Sequence, residues 1–153
     1  MASSQTTILE QLAAARTLLF RVAGSVYGCD IDAVREIITY RRATRLPGAP
    51  PYVQGLINLR GTIVTVLDLG TRLDRARPPI REPGASIILV EHGARVVGVA
   101  VDEVLDVQAI AEEPVDAGVS DTRGGLVRGL GHLEGDDVVV LIDIHTLVTQ
   151  VLL

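Results

Sequence analysis

Residues Val53 to Leu73 read VQGLINLRGTIVTVLDLGTRL, and a weaker copy returns at Val127 to Val148 as VRGLGHLEGDDVVVLIDIHTLV. Both begin Val-x-Gly-Leu and place Leu59 or Leu133 before a glycine-bearing reversal. Both then run through apolar residues and close on Asp68 or Asp143 ahead of a short helical pattern. Upstream the match continues at one constant offset, with Asp32, Val34, Glu36 and Ile37 corresponding to Asp102, Val104, Asp106 and Val107. So long a period does not suit a solenoid; it describes two similar modules in one chain.

At 153 residues the length suits one ordinary domain or two very small ones sharing a core, because a module of about 65 residues is marginal alone. Apolar residues make up 48% of the chain, yet only three Tyr and one Phe are aromatic. The core must then be Val, Ile and Leu, which favours strands. The start MASSQTT has no basic leader, and no apolar run reaches the roughly 20 residues that span a bilayer. A soluble, cytosolic protein is expected. Cys29 is the single cysteine, which excludes an internal disulfide or a cysteine-based zinc cluster and suits a small buried side chain beside Tyr27 and Ile31.

Charge is unevenly spread. Residues 1–82 hold 11 Arg against 7 acids (+4), and the remainder 3 Arg against 12 acids (−9). The chain is polarised, so each half can meet a different partner, or copies can meet head to tail.

Turn signals recur about every ten residues, the pattern of small barrels rather than of a helix-covered parallel sheet. Strands are predicted at 17–22, 25–30, 34–40, 56–59 and 62–67, and again at 86–90, 94–101, 105–111, 126–133 and 138–142. Residues 1–16 form an N-terminal extension in which Ile8, Leu9, Leu12 and Ala15 fall at helical spacing. Leu46 to Pro51 is a rigid proline loop, Asp74 to Gly84 a linker, and Glu112 to Gly125 a loop. The fold expected is mainly β, with two five-stranded barrels packed together, at about 17–82 and 85–148, and strands able to cross between them. Short helices are expected at the N-terminus and after the barrel strands.

No active site assembles from the sequence. His92, His132 and His145 are scattered without zinc spacing. Ser120 lacks the second glycine of a nucleophile elbow, and Gly125 to Gly131 carries no phosphate-binding lysine. The acidic pairs Asp30/Asp32, Glu112/Glu113 and Asp136/Asp137 read as solvated loop charges. No catalytic residue, metal or cofactor is expected, and a binding protein is favoured.

Four stretches together resemble the CheW family, the adaptor of bacterial chemotaxis arrays: GCDIDAVREII (28–38), the Leu46-Pro47 loop, GLINLRGTIVTVLDL (55–69) and GVAVDEVLDV (98–107). The resemblance covers residues 17–148 as a single domain of two barrels of the Src-homology-3 type, with Thr65 where the family usually has proline. It implies a non-catalytic scaffold that couples the cytoplasmic tip of a chemoreceptor to the regulatory domain of a CheA-type histidine kinase at receptor arrays, and that can also meet itself in array rings. By position it implicates Leu18, Ile31, Val34, Ile37 and Val104 in an apolar receptor groove between the barrels.

Arg60 falls at a hairpin reversal, and its fork suits a carboxylate, with Glu36 as the candidate. The corresponding residue of the second module is Glu134, so the hairpin itself needs no cation. The resemblance sets Arg60 and Glu36 beside the receptor surface, and Arg45, Gly61 and Thr62 on the kinase-facing side. Two other readings stay open. One is an accessory or antagonist that holds receptor without recruiting kinase. The other is a single-stranded nucleic-acid binder using Arg35, Arg41, Arg42 and Arg45 with Tyr40 and Tyr52, against which the net charge of −5 argues.

Overall fold

The computed structural model describes residues 16–74, 84–113, 125–133 and 135–152. The first module supplies strands β1 (Arg16–Val22), β2 (Ser25–Asp30), β3 (Val34–Thr39), β4 (Val53–Leu59) and β5 (Thr62–Asp68), then helix α1 (Leu69–Leu73). The second supplies β6 (Ser86–His92), β7 (Arg95–Val101), β8 (Glu103–Ala109), β9 (Glu112–Glu113), β10 (Val127–His132), β11 (Val138–Ile142) and helix α2 (Ile144–Leu152). The expected helix over residues 8–15, most of the linker, the loop from residue 114 to 124 and Glu134 lie outside the described residues.

The repeated motif folds the same way twice. Pairing slips by one residue at the motif glycine, between Val53 and Gly55 in the β4–β5 hairpin and between Val127 and Gly129 in β10–β11, a bulge that bends the strand. The closing aspartates cap the helices: the Thr71 N–H donates to Asp68 at 2.9 Å and the Thr146 N–H to Asp143 at 3.1 Å.

Gly55 shows why the motif needs glycine. Its φ is 140°, and a Cβ there would stand 2.0 Å from the Thr44 carbonyl oxygen. Thr44 crosses at this point to pair with Leu56. In the second module Glu113 makes the equivalent pairing with Leu130.

Strand order shows which strands cross between the two modules. One sheet runs β3-β6-β7-β5-β4 and the other β8-β1-β2-β11-β10-β9. The β1–β2 hairpin of the first module therefore joins strands of the second, and the β6–β7 hairpin of the second joins strands of the first. The two sheets divide the chain around residues 33 and 102, because β3 pairs with β6 and β8 pairs with β1. Strand β9, expected as loop, continues β8 after Ile110 and Ala111, so one bent strand touches β1 at one end and β10 at the other. β3 and Thr44 do the same between β6 and β4, and each sheet closes as a small barrel.

The apolar runs are unbroken because the strands are covered on both faces. In β6, Ile87 and Leu89 fill the first barrel while Ile88 and Val90 face a cluster shared by both sheets. In β1, Leu19 belongs to the interior of the second barrel while Leu18, Phe20 and Val22 join the shared cluster. Burying each such side chain stabilises the fold by about 1.5–3 kcal/mol, and the largest share of this lies between the barrels. Cys29 is buried in that shared cluster; burial, and then Asp30, push its thiol up to about 12.

Candidate functional site

The third strand of each module is distorted at the same place. Arg35 is the unpaired extra residue where β3 meets β6, and Leu105 the extra residue where β8 meets β1. Such bulges turn side chains off the sheet. Ile31, Val34 and Val104 each pack half-buried against the shared cluster, and Ile37 lies further along β3 with 40% of its surface exposed. Leu18 does not fit the expected role. It is 1% exposed, covered by the shared core and by both neighbouring strands, so it belongs to the floor beneath this apolar surface and offers nothing to a partner.

Arg60 meets Glu36. Its Nη1 donates to one carboxylate oxygen at 3.0 Å and its Nη2 to the other at 2.5 Å. Hydrogen bonding from Arg60 holds the Glu36 carboxyl below the usual carboxylate range, ahead of the opposing effect of desolvation. The pair spans the seam between the outer strands of the β3–β7 barrel, and nearby the Arg41 guanidinium donates to the Asn58 carbonyl at 3.1 Å. Arg60 adopts φ 52° and Gly61 φ 86°, the left-handed pair of a two-residue hairpin turn in which Asn-Gly is the favoured sequence. Ala23 and Gly24 take the same pair of conformations, φ 56° and 82°, at the β1–β2 turn.

Gly61 and Thr62 are exposed at this tip, and Arg45 is exposed beside the Thr44 crossing. They share one barrel but are separated along β4 by the stretch from Leu56 to Leu59. The arginine and tyrosine cluster makes no open stacking platform. Tyr40 packs on the barrel interior, the Arg72 guanidinium sits 5.8 Å above the Tyr52 ring, and Arg35 pairs with Glu91 at 2.9 Å.

Several contacts were not visible in the sequence. The Arg128 fork holds Glu112 at 3.1 and 2.7 Å, and His132 meets Glu113 at 3.1 Å, so two residues read as solvated loop charges tie β9 to β10. His92 and His145, far apart in sequence, bring their rings to 6.3 Å. Ile63, Leu105, Val107 and Val138 are large apolar residues left exposed. The internal alignment held a signal for one of them: Val107 corresponds to Ile37. Among the described residues no helix is long and apolar enough to cross a membrane.

Comparison with known proteins agrees with this architecture along nearly its whole length. The CheW-like domain family matches residues 16–152. The chemotaxis protein CheW of Rhizobium meliloti is 37% identical over 77% of this chain and 77% of its own. That of Klebsiella aerogenes is 33% identical over 87% of this chain and 81% of its own. The crystal structure of the scaffolding protein CheW from Thermoanaerobacter tengcongensis superposes with a TM-score of 0.76 at 30% identity, covering 88% of this chain and 92% of that one. Matched in sequence and in its paired barrels, the chain belongs to the CheW-like family.

Proposed function

We propose that this protein is a non-catalytic scaffold that couples the cytoplasmic tip of a chemoreceptor to the regulatory domain of a CheA-type histidine kinase, at receptor arrays on the inner face of the membrane. The observation that carries the reading is the apolar surface left open over the shared core, where Ile31, Val34 and Val104 stay half-buried and Ile37 is exposed. Such a surface is a seat for the apolar stripe of a helix. Arg60 and Glu36 stand at the barrel end as the polar part of receptor recognition, and Arg45, Gly61 and Thr62 are exposed for the kinase's similar barrel. Coupling is geometric, since receptor and kinase occupy different parts of one rigid body.

Reconstitution of receptor fragment, kinase and this protein tests the reading through kinase autophosphorylation. Receptor-dependent control only when the protein is present supports it. Receptor binding without kinase recruitment would replace it with an antagonist.

A further inference from the structure

Two of the chain's three histidines meet across the boundary between the sheets. His92 is the last residue of β6, in the five-stranded sheet, and His145 is the second residue of α2, which follows β11 of the other sheet. Their ring centres lie 6.3 Å apart with the planes tilted by 46°. No sequence spacing marks the pair, because only the fold brings the two together.

Both rings stand on fixed elements. Ile88 and Val90 anchor β6 in the shared cluster, and Ile144, Leu147 and Val148 anchor α2 in the same cluster. Among the described residues neither His92 nor His145 has a hydrogen-bond or ion-pair partner, whereas His132 is engaged by Glu113 at 3.1 Å. His92 is half-buried and His145 exposed, so an ion can reach them from solvent.

Neutral imidazole is a ligand for borderline divalent ions such as Zn²⁺, Ni²⁺ and Cu²⁺. Two imidazoles on one tetrahedral ion, each nitrogen at about 2.0–2.1 Å, set their ring centres about 5 Å apart. The present separation is wider by about 1 Å, a gap that side-chain rotation closes without moving either backbone. Arg95, paired with His92 across the hairpin, is exposed, and solvent screens its repulsion of an ion.

We propose that His92 and His145 form a two-ligand site for a divalent transition-metal ion, which staples the exchanged β6–β7 hairpin to helix α2. Water completes the coordination. An ion that binds the folded chain and not the unfolded one stabilises it by mass action, and this one acts across the two sheets.

The test follows the imidazole ring signals of the full chain by NMR during titration with Zn²⁺, with His132 as the internal control. Saturable, one-to-one shifts are expected at His92 and His145 and not at His132, while Mg²⁺, which takes oxygen ligands, should move none of the three. His92→Gln and His145→Gln should each weaken Zn²⁺ binding at least tenfold, and His132→Gln should leave it unchanged. Saturating Zn²⁺ should raise the thermal midpoint of the native chain and of His132→Gln, but not of the other two variants. Absence of saturable shifts, shifts at one histidine alone, equal shifts at all three, or undiminished binding in His145→Gln would overturn the site. Should a variant fail to fold, the ring signals of the native chain decide alone.

Discussion

Arg60 grips both carboxylate oxygens of Glu36 from a left-handed backbone position, φ 52°. Side chain and backbone pull in opposite directions there, because the turn is better served by Asn before Gly61. Arg60→Asn should therefore keep the thermal midpoint within about 3 °C of the native value, or raise it, while lowering receptor-dependent kinase control at least tenfold. Thermal denaturation beside the reconstituted kinase assay separates the two. A variant that unfolds, or that couples normally, removes Arg60 from the site.

The fork also predicts a pH response. Glu36 is held below the ordinary carboxylate range in the folded protein, so the fork's contribution is present above the unfolded-state pKa and is lost as pH falls through the lower, folded value. Carboxyl carbon shifts should show Glu36 titrating below the exposed glutamates of the same chain. In Arg60→Asn the midpoint should return upward to theirs. Receptor binding by the native chain should fade only in that acidic window, and equal Glu36 midpoints in the two proteins would contradict the fork in solution.

Much of this was legible in the sequence, for identifiable reasons. The doubled Val-x-Gly-Leu motif marked both hairpins because glycine is obligatory where Thr44 crosses Gly55, and the Arg60 to Glu36 contact followed from a fork at a turn. That strands could cross between the modules was legible, but which hairpins exchange was not. Both modules carry the same apolar pattern, so nothing local states whether β3 pairs with its own hairpin or with the β6–β7 hairpin of the other copy. Leu18 entered the groove only by its position in the resemblance, and position does not tell a residue on the floor of a groove from one on its wall.

That distinction is measurable. Leu18→Ala should cost about 2–5 kcal/mol in denaturant unfolding, the range for emptying a fully buried site, with receptor affinity unchanged wherever the variant is folded. Val34→Asp and Val104→Asp, at half-buried positions able to turn a charge to water, should remain folded and lose receptor binding at least tenfold. If Val34→Asp unfolds the protein as thoroughly as a buried charge would, Val34 is core and the groove reading fails there.

Hairpin exchange also sets how the molecule unfolds. Each barrel lacks two strands unless the other module is in place, and the principal apolar cluster belongs to both sheets. Loss of either barrel therefore strips strands and core from the other, and a single cooperative transition is expected. Gly98→Ala tests this from a distance. Its new Cβ would stand 2.7 Å from the Ile87 side chain inside the β3–β7 barrel, an overpacking that typically costs about 1–3 kcal/mol. Hydrogen exchange in the slowest amides of β10 and β11, in the other barrel, should accelerate by the same factor as in β6 and β7. Acceleration confined to the mutated barrel would mean that the two open independently, and the exchanged hairpins would then not be what holds the scaffold rigid between its partners.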